Sequence, residues 1–205
     1  MKPKIFLTAF IVTALFTNCK KEFAGFNEEK INGEKKTKTV QRAYSDNFTT
    51  QYQFIPDILN GWDPAHPSPF LAWYPGNGDG NATHVGKAKT YFNQYVPFNP
   101  PFFSSIAAPV TMFAATQLAA AGYVGIPAMV NSVVYDDKGN SIWFHQTSNT
   151  TMPVSETRIN FTGISKIIGG TGKFMGATGE VKLKGYFNPL DQQDAGVGST
   201  GSIEY

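Results

Sequence analysis

Cysteine is almost absent: the 205 residues contain one, Cys19. No intrachain disulfide can form, so whatever folds must be held by its core alone. Histidine is nearly as scarce. His66, His84 and His145 stand far apart, with no pair at metal-ligand spacing, which argues against a metal centre. No Gly-x-Ser-x-Gly elbow occurs and the one cysteine lies near the start, so a nucleophilic hydrolase is disfavoured. The apolar run from Ile5 to Phe16, 12 apolar or small residues, is too short to span a bilayer comfortably. A surplus of positive charge is missing as well. From Asp46 to Tyr205 there are eight basic and eleven acidic residues, a net charge of −3. Nucleic-acid binding needs a basic face to neutralise phosphates, and this stretch does not supply one.

What is present begins with Lys2 and Lys4, the apolar run and a short polar exit, Thr17 and Asn18, ending on Cys19. This is the anatomy of a secretory signal. It resembles a bacterial lipoprotein signal, in which the cysteine is acylated and becomes the mature N-terminus. The resemblance implies a leader over residues 1–18, a membrane as partner through a lipidated Cys19, and a place in the cell envelope, facing the periplasm or the outer membrane. From Lys20 to Arg42 there follow seven basic residues against Glu22, Glu28, Glu29 and Glu34, with few large apolar side chains. Such a segment cannot bury enough surface to offset its ordering entropy, so 19–45 reads as a flexible tether and 46–205 as the folded domain.

The domain reads as all-β: short β-rich runs are cut by Gly, Pro, Asn and Asp clusters, the pattern of an antiparallel sandwich or barrel. Asn47 to Phe54 is the first expected strand, Asn60 to Pro69 a proline-interrupted loop, and Phe70 to Tyr74 a second strand. Gly76-Asn77-Gly78-Asp79-Gly80-Asn81 has turn composition. In the run after it, Val85, Lys87, Lys89 and Tyr91 alternate with His84, Gly86, Ala88, Thr90 and Phe92; the lysines mark the first set as solvent-facing and place His84 and Phe92 inside. Val181, Leu183, Gly185 and Phe187 alternate with Glu180, Lys182, Lys184 and Tyr186, and form a second inward face. Asn131 to Asp136 and Ser141 to Thr147 flank a good hairpin connection, Asp137-Lys138-Gly139-Asn140. Arg158 to Ile168 and Gly198 to Tyr205 bring the count to at least seven, enough to close a small antiparallel barrel of about 7–8 strands. After a proline-rich loop at Pro97 to Pro101, Pro109 to Ala121 has helical spacing with Gly122 as C-terminal cap, and is expected to close one end of the barrel.

The stretch Gly169-Gly170-Thr171-Gly172-Lys173-Phe174-Met175-Gly176-Ala177-Thr178-Gly179 resembles the glycine-rich hairpin of the allene-oxide-cyclase and dirigent-like barrels, a branch of the calycin-type folds. Ala82-Thr83-His84-Val85-Gly86-Lys87 and Gly139-Asn140-Ser141-Ile142-Trp143 resemble two further strand starts of that family. The resemblance implies a calycin-type barrel; the family includes enzymes, stereochemical guides and barrels with no known activity, so it implies no single function. A phosphate-loop reading fails, because Phe174 follows Gly172-Lys173 where Ser or Thr is required and Ile167 stands where the first Gly would fall. Gly169, Gly170, Gly172, Gly176 and Gly179 are instead expected to shape a tight turn that folds Phe174 inward as a plug.

Candidate ligand contacts are His84, Phe92, Trp143 and His145; Ser141 to Thr147 is apolar on both faces, so the inward side of Trp143 and His145 is undecided. Glu156 and Arg158 share a face and suggest a rim ion pair. No acid is evident on an inward face, no catalytic residue is assigned, and no cofactor or metal is called for. Two functions follow from the sequence. The first is an envelope lipoprotein whose barrel binds a small apolar or aromatic ligand, or a partner; the second is an isomerase or cyclase-like enzyme on the same scaffold. A cavity of at least about 300 Å³ holding a carboxylate or histidine favours the enzyme.

Overall fold

A computed structural model describes residues 39–99 and 104–205. The expected leader, Cys19, most of the segment expected to be tether and the end of the 97–101 loop lie outside the described residues. In chain order the strands are β1 (Gln41–Tyr52), β2 (Ile55–Pro56), β3 (Ala72–Trp73), β4 (Gly76–Ala82), β5 (Gly86–Phe92), β6 (Gln94–Val96) and β7 (Ile106–Ala107). Helix α1 (Thr111–Ala120) follows, then β8 (Ser132–Tyr135), β9 (Ser141–Ser155), β10 (Arg158–Thr171), β11 (Thr178–Asn188) and β12 (Asp191–Glu204). Eight of them close into an antiparallel barrel in the order β1-β12-β11-β10-β9-β8-β5-β4, with β4 pairing back to β1. The other four, β2-β3-β6-β7, make a small second sheet.

Two expectations about boundaries are corrected. The barrel begins at Gln41, inside the segment 19–45 expected to be tether. Tyr44 is 2% exposed and packs against Phe144, which draws the chain into the wall five residues earlier than its charge suggests. The glycine-rich run 76–81 is no turn but most of strand β4. Its Gly76, Gly78 and Gly80 lie opposite Tyr52, Thr50 and Phe48 of β1 and opposite Phe92, Thr90 and Ala88 of β5. A Cβ on Gly80 would stand 2.0 Å from the Asn47 carbonyl oxygen and 2.7 Å from the Phe48 ring, and one on Gly76 2.2 Å from the Phe92 ring. The glycines serve close approach: the inward rings of neighbouring strands lie across a strand that has no side chains there.

The barrel has one end sealed by its own side chains. There the turns at 83–85, 136–140 and 172–177 come together. Phe174, wholly buried, sits 4.9 Å from the Tyr205 ring within a core that includes Tyr44, Ile142, Ile167 and Ile203. Gly172, at φ +60° with its Cα facing the Asn140 side chain, and Gly176, at φ +73°, carry the left-handed turns that aim Phe174 inward.

Helix α1 does not close an end. It lies on the outer wall: Val110, Ala114 and Leu118 pack with Tyr123 and Val130 against Val133, Tyr135, Tyr91 and Trp143, the outward residues of β8, β5 and β9. This explains a sequence apolar on both faces, since one faces the barrel interior and the other is covered. The helix ends as expected at Gly122 (φ +91°), whose N–H donates to the Ala119 carbonyl while the Tyr123 N–H reaches the Leu118 carbonyl, a Schellman cap. Among the described residues no helix is long and apolar enough to cross a membrane.

Candidate functional site

A cavity of about 150 Å³ runs through the barrel interior between the sealed end and the opposite, loop-bearing end. Its size is half of what the sequence reading required of an enzyme's pocket. Its walls follow from strand parity. Phe48, Thr90, Val134, Phe144, Phe161, Leu183 and Val197 are inward residues of seven strands, and the glycine stripe of β4 supplies the eighth wall as bare backbone. At the loop end the rings of Tyr52, Tyr74 and Phe187 cluster, with centroids 5.9 Å (Tyr52–Tyr74) and 5.6 Å (Tyr52–Phe187) apart.

The floor holds an acid that the sequence reading missed. Asp46 stands on β1 between Tyr44 and Phe48 in the inward set, opposite Ser199 of β12. One carboxylate oxygen accepts the Ser199 backbone N–H at 2.7 Å; the other accepts the Tyr44 hydroxyl at 2.9 Å. Burial raises the carboxyl above its ordinary value of 3.8, and the hydrogen bonds from Ser199 and Tyr44 oppose that rise. Burial, with the Asp46 charge added, raises the Tyr44 phenol well above its own ordinary value. The pattern lies in the sequence, where Tyr44-x-Asp46-x-Phe48-x-Thr50-x-Tyr52 alternates with period two, but the charge of the lysine-rich segment before it masks where the alternation starts.

A buried carboxyl that keeps its proton to higher pH than the unfolded chain does contributes stability that is complete below about 3.8 and is lost as pH rises through its folded value. Asp46→Asn removes that titration. The melting temperature of the variant is therefore expected to gain on wild type as pH rises above the ordinary carboxyl value of 3.8. A difference that stays flat as pH rises from there would show that Asp46 is not desolvated.

At the other end, polar side chains form a chain. The Gln94 and Gln146 amides exchange hydrogen bonds, Gln94 Nε2 donating at 2.8 Å and Gln146 Nε2 at 3.1 Å. Ser105 Oγ donates to Gln94 Oε1 at 2.9 Å, and Asn149 Nδ2 donates to Ser105 Oγ at 2.8 Å. The Gln146 backbone N–H is taken by Asn131 Oδ1 at 2.7 Å.

Of the four residues expected to touch a ligand, only Phe92 lines the cavity. His84 lies in the β4–β5 turn at φ +67°, where its Nε2 bonds the Ala43 carbonyl at 2.9 Å and its ring faces Tyr205 at 5.8 Å, outside the sealed end. The alternation that placed it inside was carried one turn beyond the strand. Trp143 and His145 point away from the interior, because Ile142, Phe144 and Gln146 take the inward positions of β9. Trp143 packs under the α1 layer, and His145 Nδ1 bonds the Met129 carbonyl at 2.8 Å. Arg158 does not pair with Glu156: its guanidinium lies 3.9 Å from the centre of the Tyr186 ring and donates to Asn160 Oδ1 at 3.1 Å. Among the described residues no three His, Cys, Asp or Glu side chains gather as metal ligands.

Comparison with protein-family models, curated proteins and solved structures finds no match.

Proposed function

We propose that this chain is an envelope lipoprotein whose barrel binds one small apolar or aromatic molecule. The observation that supports the reading is the cavity itself: about 150 Å³, apolar along its walls and polar at its two ends. Packed interiors hold few voids larger than a water, and an apolar cavity of about this volume is enough for a single ring of benzene size. Toluene should bind the wild-type domain and raise its melting temperature, because a ligand of the folded state alone stabilises by mass action. Leu183→Trp fills the volume and should abolish that rise. A wild-type melting curve indifferent to toluene would remove the reading.

Anchoring rests on the leader. Two acyl chains on Cys19, at about 0.8 kcal/mol per buried methylene, hold a protein firmly to a membrane. Cys19→Ala should move the protein to the soluble fraction, and a variant that stays with membranes would refute the anchor.

A second reading, an isomerase or cyclase-like enzyme, is favoured by Asp46 alone. A buried carboxyl with a raised pKa, held by a phenol beneath an aromatic cavity, is suited to take a proton from a bound ligand and return it. Turnover lost in Asp46→Asn with binding retained would mark the enzyme.

A further inference from the structure

The charge inside the barrel is unbalanced. Asp46 is the one acid among the described residues that line the cavity, and none of those residues is a lysine, arginine or histidine. Neither ion pair among the described residues involves it. Of the five inward residues of β1, Tyr44, Phe48, Thr50 and Tyr52 are buried, whereas Asp46 keeps part of its surface open; on an inward residue that lines the cavity, that surface faces the cavity. An ionised carboxylate offers about four acceptor sites, of which the Ser199 N–H and the Tyr44 hydroxyl take two. Two are left over. The bound donors favour the charged form but bring no positive charge to set against it, and a carboxylate in an apolar site is costly until it is paired. Aromatic rings border the same floor: Phe48 stands two residues along β1, and the Phe144 ring lies 5.9 Å from that of Tyr44, whose hydroxyl holds the carboxylate. The faces of such rings attract a cation. A hydrocarbon in this cavity leaves the carboxylate unpaired, whereas an ammonium on an apolar body meets both the charge at the floor and the walls above it.

We infer that the ligand of this cavity is a small aromatic or aliphatic amine, bound as its ammonium ion, with the N–H groups on the Asp46 carboxylate and the apolar body among the rings above. The inference rests on the binding function proposed above and specifies its ligand class. The test uses two molecules of the same shape at neutral pH: benzylamine, an ammonium ion there, and ethylbenzene, in which a methyl group stands in place of the ammonium. Asp46→Asn keeps an oxygen for the Ser199 N–H and removes the charge. In that variant benzylamine should lose about tenfold or more in affinity by calorimetry, the loss expected for a hydrogen bond to a charged group, while ethylbenzene stays within about twofold. In the unmutated protein, benzylamine should shift the Asp46 carboxyl carbon resonance in a saturable manner and ethylbenzene should move it less, a readout that needs no variant to fold. Equal losses for the two molecules, equal shifts, or binding of ethylbenzene without binding of benzylamine would overturn the amine while leaving the binding function standing. Failure of both molecules to bind wild type would overturn the two together.

Discussion

Phe174→Ala should cost the domain about 3–5 kcal/mol, the range for truncating a fully buried aromatic, and lower its melting temperature by roughly 10 °C or more for a domain of this size. Phe174 has no exposed surface, its ring stacks edge-on with Tyr205, and it shares a core with Tyr44 and Ile203 at the sealed end. The surroundings cannot close over the hole, because Phe174 is delivered by a short 3-10 turn, Gly172–Phe174, whose flanking strands are fixed in the barrel ladder. Gly170 beneath it leaves no slack, since even a Cβ there would stand 2.9 Å from that of Phe174. Thermal or urea unfolding of the single variant measures the effect. A loss under about 1 kcal/mol would mean that the sealed end is not closed by this ring.

Gly80→Val should be nearly as damaging, at about 3 kcal/mol, the upper part of the range for forced overpacking. The added Cβ would meet the Asn47 carbonyl oxygen at 2.0 Å and the Phe48 ring at 2.7 Å. Phe48 can swing only into the cavity it lines, and the carbonyl belongs to the β1 backbone paired with β4 across this position. The barrel must part locally or lose its cavity. Denaturant unfolding checks the first result, and loss of toluene binding in any protein that folds checks the second. An unperturbed variant would contradict the placement of 76–82 as a barrel strand.

The two segments behave differently as sequence. The Gly169 to Gly179 run could be read, because the same residues that allow a left-handed turn do so in the structure and the aromatic they deliver lies within the motif. The Gly76 to Ala82 run could not. Its glycines are there for the rings of Phe48 and Phe92, which belong to strands at other places in the chain, and local composition favours a turn. The strands at Gly86–Phe92 and Thr178–Asn188 were legible because one face of each is lysine-marked. Around Trp143 and His145 this signal fails, as α1 covers the outer face and makes both sides apolar. The candidate site was the least legible part. Phe92 was found by parity, whereas Asp46 was hidden by the charged segment before it. Asn149 lies beyond register shifts in β10 against β9, and no count of alternating residues passes through a bulge unchanged.

Methyl resonances report whether a small apolar molecule enters this barrel and where it sits. Two sets of methyl groups lie on either side of the same wall: Val134, Val181, Leu183 and Val197 line the cavity, while Val110, Leu118, Val130 and Val133 pack outside it beneath the helix. Titration with toluene should shift the first set in a saturable manner and leave the second in place. Shifts confined to the helix side, or none in either set at saturating toluene, would rule out binding inside the barrel.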